Sequence, residues 1–176
     1  KTLKEIKDNV WTPQDKSDYR RIQPKLILIS DRTQISKTNI FGEKETETFY
    51  QNEKMKMVWN VLSLCTSKAR NDNVTGRNLR YIVIDAVSKK YLGVINIASV
   101  LPNLTKRNLK LFKIKDIKKK YWKPNGVLNN MATLQKCVAT SIFGYECNGA
   151  KLLALLAVSK QVQNDWYQKY GDRLVT

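Results

Sequence analysis

The sequence contains no histidine, and this absence removes several kinds of catalytic and metal site. Hydrolases that use histidine as a base and zinc sites with histidine ligands are excluded within this chain. Cysteine is also scarce, because Cys65, Cys137 and Cys147 are an odd number, lie far apart and form no CxxC pair. We therefore expect no disulfide framework and a reducing, intracellular, cytoplasmic setting, such as a bacterial host cell, with a virion as the alternative.

Negative charge is sparse. The chain has 15 Asp and Glu residues against 32 Lys and Arg residues, which gives a net charge of +17. A field of this size attracts polyanions. Lysine outnumbers arginine by 24 to 8, and lysine binds phosphate as a point charge but recognises base edges less well than arginine. The composition favours a nucleic-acid partner, most readily DNA, held through its backbone with a strong dependence on salt.

Long hydrophobic runs are missing as well. The longest, Leu152–Val158, is far shorter than a membrane span, and we expect no membrane partner and no signal peptide. A length of 176 residues predicts one α/β domain over residues 1–176, with residues 1–21 as a peripheral arm. The start at Lys1 and the strand-like end at Arg173–Thr176 suggest a piece of a longer chain. The oligomeric state is left open.

Hydrophobic periodicity predicts the main elements. Residues 24–30 form a compact β-run, and apolar spacing from Glu53 predicts a helix that ends near Arg70 and packs Trp59 into the core. Two β-rich runs, 79–87 and 91–100, flank a tight turn and predict an antiparallel hairpin. The alternating Glu43, Glu45 and Glu47 indicate an exposed strand or a loop within residues 31–50.

The last third of the chain predicts a βαβ unit. A strand over Met131–Thr140 is followed by a glycine-containing turn, Phe143–Lys151, which is expected to open directly into a helix. That helix, Leu152–Trp166, is apolar on nearly all sides in its first turns and is expected to be buried. A further strand begins at Arg173. The fold class is therefore α/β, with a mixed central sheet and flanking helices.

A strongly basic segment, Lys106–Lys123, lies between the hairpin and the last strand. It holds nine positive residues and one negative residue, Asp116. Its apolar residues repeat at helical spacing, which predicts a helix with a lysine-rich outer face. The alternative is an ordinary solvated face. The candidate nucleic-acid-binding residues, which include one aromatic for base stacking, are Lys106, Arg107, Lys110, Lys113, Lys115, Lys118, Lys119, Lys120, Trp122 and Lys123.

The turn before the last helix is a candidate cofactor site, since helix amide groups and small residues can approach a phosphate there. Its candidate residues are Asn148, Gly149, Ala150 and Lys151. The alternative is that the glycine serves only the turn. The turn resembles the acyl-CoA loop of the GNAT acetyltransferases, which implies a GNAT-like fold and an acyl-CoA or similar nucleotide-activated donor. Glu146 and Lys151 depart from that loop, where Gln or Arg and a second small residue are expected.

The C-terminal hundred residues also resemble the Druantia anti-phage protein A family. The similar features are Leu79–Ile84, Leu92–Ser99, the apolar run that begins at Lys151, and Asp165-Trp166 with Tyr170. The resemblance covers Arg77 to Thr176, with Asn108 where the family has Asp. It implies DNA-related work in phage-defence or mobile-element settings, and the similar order of elements in the GNAT-like Mom-type DNA-modification enzymes implies the same.

Three functions remain open. A GNAT-like DNA-modifying transferase would hold its donor at residues 148–151 and use Asp85, Tyr145 or Cys147 for acid–base chemistry, although Asp85 also suits a structural role as a turn cap. A non-catalytic nucleic-acid-binding module needs only the basic charge and aromatic residues. A metal-dependent nuclease needs clustered carboxylates, but Asp85, Asp116 and Glu146 are scattered, so no metal site is predicted.

Overall fold

The computed structural model describes most of the chain as helices on both sides of a β-sheet. The described residues are 2–13, 16–29, 33–38, 44–49, 53–66, 76–100, 106, 110 and 127–174. The α-helices are α1 (Thr2–Asp8), α2 (Glu53–Thr66), α3 (Ser141–Glu146), α4 (Gly149–Ala157) and α5 (Lys160–Tyr170), with 3-10 helices at Lys16–Arg21 and Val127–Asn130. The strands are β1 (Pro24–Ile29), β2 (Thr33–Thr38), β3 (Lys44–Phe49), β4 (Asn78–Asp85), β5 (Tyr91–Ser99) and β6 (Ala132–Ala139).

The main sheet has four strands in the order β1-β4-β5-β6, and every neighbouring pair is antiparallel. The predicted hairpin is confirmed as β4 and β5 at the centre of this sheet. Both strands are largely buried because the sheet is covered on both faces. Strands β2 and β3 form a separate antiparallel pair, so Glu45 and Glu47 lie on a strand, which is the first of the two alternatives given for this region, whereas Glu43 lies outside the described residues.

Two hydrophobic clusters hold the sheet between helices. On one face, Trp59 of α2 packs with Ile82 and Val94 of the central hairpin. On the other face, Leu153 of α4 and Trp166 of α5 belong to a larger cluster that also contains Leu26, Leu79, Tyr81 and Phe143. Trp59 is 2% exposed, so its predicted place in the core is confirmed. The α/β fold class with flanking helices is therefore confirmed, but the expected mixed sheet is not, because the described strands of the main sheet pair only in antiparallel fashion.

The last third of the chain differs from its prediction in three ways. The helix α3 lies between β6 and Gly149, so the strand does not lead directly into the glycine turn. The expected helix Leu152–Trp166 is divided into α4 and α5 at Val158 and Ser159. Residues 172–174 are not a strand, so the described sheet contains no parallel βαβ unit.

The helix α4 is also less buried than its composition predicts. Leu153 is fully buried, but Leu155 is 59% exposed. The helix covers one face of β5 and β6, and its opposite side faces solvent. An apolar residue on that outer side needs no partner in an ordinary soluble domain.

The N-terminal segment packs into the core, which corrects its expected role as a peripheral arm. Ile6 is 5% exposed and Trp11 is 3% exposed. The backbone amide of Trp11 donates to the carbonyl of Tyr91 at 3.0 Å, and the amide of Tyr91 donates to the carbonyl of Asn9 at 2.8 Å. These bonds fasten residues 9–11 to the first residue of β5.

Of the helices that the structure describes, none has both the length and the apolar character that a bilayer crossing requires.

Candidate functional site

The Asp85 carboxylate accepts hydrogen bonds from the β4–β5 turn, which begins directly after this last residue of β4. Its Oδ1 accepts hydrogen bonds from the amide of Gln23 at 2.9 Å and the amide of Val87 at 3.3 Å. Its Oδ2 accepts from the Ser88 amide at 3.0 Å and the Ser88 hydroxyl at 2.6 Å. Burial raises the pKa of Asp85, but these hydrogen bonds outweigh burial and hold the pKa below its ordinary value. The interpretation of Asp85 as a turn cap is confirmed.

Loss of the Asp85 charge is expected to destabilise the protein at neutral pH. We expect Asp85→Ala to lower the free energy of unfolding by about 1–3 kcal/mol at pH 7, since the amides of Gln23, Val87 and Ser88 lose their charged acceptor. Because the folded-state pKa is depressed, this contribution is present above the ordinary carboxyl pKa of 3.8 and is lost as the pH falls through the folded-state pKa. The difference between variant and unsubstituted protein should therefore shrink below about pH 3.8.

Urea unfolding at a series of pH values measures this effect. Asp8→Ala is the matched control, because Asp8 is exposed and its loss should change stability by less than about 0.5 kcal/mol at pH 7. An Asp85→Ala variant as stable at pH 7 as the Asp8→Ala variant would contradict the structural role.

The other two candidate acid–base residues lie around the end of α3. Tyr145 is 95% exposed, and Cys147 is half-buried directly after the helix. Burial, together with the neighbouring Glu146 carboxylate, raises the pKa of the Cys147 thiol, which disfavours the thiolate that a nucleophile requires. All the described hydrogen bonds of the Asp85 side chain stay within its own turn and Gln23, so they do not join it to Tyr145 or Cys147.

Gly149 is required by packing. It is buried at the first residue of α4, and a Cβ atom placed on it would lie 2.3 Å from Cδ1 and 2.5 Å from Cε1 of Phe143. The residue before it, Asn148, has a left-handed backbone with φ +55°. Asn148, Ala150 and Lys151 are exposed, so they remain accessible to a ligand. The proposed cofactor role of residues 148–151 stays a prediction.

Most of the basic segment lies outside the described residues. Lys106 and Lys110 are helical and exposed. The remaining candidates, Arg107, Lys113, Lys115, Lys118, Lys119, Lys120, Trp122 and Lys123, fall outside the described ranges. The two ends of the intervening chain are fixed, because Ser99 at the end of β5 pairs with Ala132 at the start of β6.

Arg77 connects several segments at this same end of the sheet. Its guanidinium forms an ion pair with Asp172 and donates a hydrogen bond to the carbonyl of Asn129 at 3.1 Å. It also lies 5.2 Å from the ring centre of Trp166 and 5.8 Å from that of Tyr170, within the range of cation–π attraction. One side chain thus joins the start of β4, the chain just before β6, and the end of α5.

Two tyrosines extend this network. The Tyr170 hydroxyl accepts from the amide of Asn78 at 2.8 Å and donates to its carbonyl at 2.7 Å. The Tyr81 hydroxyl donates to Oδ2 of Asp165 at 2.9 Å. Burial and, to a lesser degree, the Asp165 charge raise the pKa of Tyr81 far above its ordinary value, so it is a permanent donor. We define the Arg77 cluster as Arg77, Asn78, Tyr81, Asp165, Trp166, Tyr170 and Asp172.

The Arg77 cluster contains the polar residues on which the sequence resemblance depended. Asp165, Trp166 and Tyr170 were noted in the sequence, but their partners Arg77, Tyr81 and Asp172 were not assigned a role there. A family model described as Druantia protein DruA matches residues 6–175. The chain belongs to the DruA family. No curated protein and no solved structure matches it.

The DruA match begins well before Arg77, the residue where the sequence resemblance was placed, and includes Trp11, the strand β1 and the helix α2. The family model therefore covers nearly the whole chain. Membership of the DruA family supports the expected anti-phage defence context.

Proposed function

We propose that this DruA-family protein binds DNA through its basic surface as part of anti-phage defence. The observation that carries the proposal is the imbalance of exposed charge. In the part of the chain that the structure describes, fourteen Lys and Arg side chains are exposed, against three carboxylates, Glu5, Asp8 and Glu146. A surface with so few acids leaves most cations available to phosphate groups.

The architecture supports Lys106–Lys123 as the main contact. The chain leaves the sheet after Ser99 and returns by the 3-10 helix Val127–Asn130. Arg77 holds the returning chain through the Asn129 carbonyl and is itself held by Asp172 and two aromatic rings. The chain that carries the basic segment is therefore fixed to the sheet on both sides, at Ser99 and at Asn129.

Charge reversal within the segment tests the proposal. We expect Lys118, Lys119 and Lys120 changed together to Glu to weaken binding to a 20-base-pair duplex by at least about ten-fold at 100 mM salt, since several phosphate contacts are lost. The slope of log affinity against log salt should also become shallower, by about one unit for each lost contact. Fluorescence anisotropy over a salt series measures both quantities.

A matched control keeps the change in net charge the same. Lys4, Lys54 and Lys56 are exposed on α1 and α2, and changing these three to Glu should have a smaller effect on affinity and slope. Equal losses from the two triple variants would contradict the assignment to the basic segment. Failure of the unsubstituted protein to bind DNA at low salt would overturn the proposed function itself.

A GNAT-like DNA-modifying transferase is the second candidate, supported by the central hairpin and by the helix that begins at Gly149. Since the Phe143 ring occupies the space beside Gly149, a donor would contact the exposed Asn148, Ala150 and Lys151 instead. Lys151→Ala is therefore a cleaner test of acetyl-CoA binding than a change at Gly149.

For the nuclease alternative, the described residues contain no group of three carboxylate, cysteine or histidine side chains close enough to hold a metal ion.

A further inference from the structure

A cavity of about 230 Å³ lies beside the β4–β5 turn, at the end of the sheet opposite Ser99 and Ala132. It is lined by Trp11, Thr12, Arg21, Asp85, Ser88 and Lys90, together with Val87. Asp85 lies eight residues after Arg77 along β4, a distance of about 26 Å at the usual rise per residue. The cavity and the Arg77 guanidinium therefore lie near opposite ends of this strand.

The cavity is built from three chain segments that backbone hydrogen bonds hold together. Trp11 is fastened to Tyr91, as described above. The Ala86 amide donates to the Gln23 carbonyl at 2.8 Å, which fixes the chain after Arg21 against the turn. On its far side, the Trp11 ring packs edge-on against Phe143, with ring centres 5.6 Å apart. The backbone around the cavity and the Trp11 ring are thus held in place, which favours binding of a small ligand.

The charges of the cavity favour an anion. Arg21 and Lys90 bring two positive charges, and neither forms an ion pair with a described residue. Among the described lining residues, Asp85 is the carboxylate, and its negative charge is bound by the four hydrogen bonds of its turn. Two cations against this carboxylate leave one net positive charge in the described lining. The hydroxyl of Thr12 adds a neutral donor. A phosphate group has several acceptor oxygens and can contact both cations and the hydroxyl at once.

The size of the cavity fits such a group. A volume of about 230 Å³ accommodates a phosphate group with part of its ester. We propose that this cavity binds a phosphate monoester, such as the 5′-phosphate of a mononucleotide or of a DNA end. This inference does not rest on the proposed function.

Neighbouring cations provide matched controls. Arg20 and Lys89 adjoin Arg21 and Lys90 in sequence and are exposed, but they do not line the cavity. We expect Arg21→Gln and Lys90→Gln each to weaken binding of thymidine 5′-monophosphate by about ten-fold, since each removes a charged contact. Arg20→Gln and Lys89→Gln should weaken it less than about two-fold. Isothermal titration calorimetry at constant ionic strength measures these affinities, and unfolding curves without ligand verify that each variant is folded.

The choice of probes separates the sources of phosphate. Inorganic phosphate and thymidine 5′-monophosphate should bind, whereas thymidine should not. Binding of a 5′-phosphorylated trinucleotide, but not of its 5′-hydroxyl form, would identify a DNA end as a ligand, and binding of the mononucleotide alone would identify a free nucleotide. No binding of any phosphate, equal binding of thymidine, or equal losses in the two pairs of variants would overturn the inference. As a site of its own, the cavity should keep its affinity for the mononucleotide when Lys118, Lys119 and Lys120 are changed to Glu.

Discussion

Trp166→Ala is expected to lower the free energy of unfolding by about 3–5 kcal/mol, the usual cost of removing a large buried aromatic side chain. Trp166 has no exposed surface and lies in the larger hydrophobic cluster. Its ring also contacts Tyr170, with ring centres 4.9 Å apart, and attracts the Arg77 guanidinium. The truncation therefore leaves a cavity and removes the support of the Arg77 cluster at once.

Thermal and urea unfolding measure this loss. A fall of about 10 °C in Tm corresponds to the lower half of the expected range for a domain of this length. Tyr167→Ala is the control, since Tyr167 is the next residue on α5 and is 48% exposed. It should cost less than about 1 kcal/mol, including its contact with Arg173. A Trp166→Ala variant no less stable than the Tyr167→Ala variant would contradict the packing described for α5.

Gly149→Val is expected to lower the free energy of unfolding by about 2 kcal/mol or more, without any ligand present. The added Cβ would meet not only the Phe143 ring but also the Phe143 carbonyl oxygen, at 2.8 Å. A backbone atom cannot rotate away as a side chain can, so α3 or α4 must shift. This effect on stability would accompany any effect on cofactor binding, and only unfolding without ligand separates the two.

The control adds the same side chain at the neighbouring position. Ala150 is exposed, so Ala150→Val should cost about 0.5 kcal/mol through helix propensity alone. A double-variant cycle with Gly149→Ala and Phe143→Ala provides a second measurement, because removal of the ring relieves part of the clash. Strictly additive losses in that cycle, or equal losses from Gly149→Val and Ala150→Val, would show that Phe143 does not require the glycine.

The elements predicted correctly are those with a clear hydrophobic period. The central hairpin and α2 extend over enough residues for alternation or helical spacing to be visible. The helix α3 was missed because its six residues, which include Ile142, Phe143 and Gly144, have poor helix propensity and are too few to show a period. The break at Ser159 was missed because the apolar spacing continues across it, so that Leu153, Val162 and Trp166 still meet the same face of the sheet.

The candidate sites were less predictable than the fold because they combine residues from distant parts of the chain. Asp85 was recognisable as a turn cap, since its partners Val87 and Ser88 are local. Arg77 and Asp172 lie 95 residues apart, and no local pattern pairs them. The cavity is equally hard to predict from the sequence, because Arg21 and Lys90 come to line it together only when β1 pairs with β4.

The wide separation of the Arg77 partners also affects how the protein folds during synthesis. The partners of Arg77 lie 52 residues later in the chain at Asn129 and 95 residues later at Asp172. A ribosome that adds about 5–20 residues per second delivers the last of them several seconds after Arg77. We therefore expect the nascent chain to form the β4–β5 hairpin first and to complete the Arg77 cluster last. The chain around Asn129, which follows the basic segment, would then be held by Arg77 and Asp172 only after α5 has emerged.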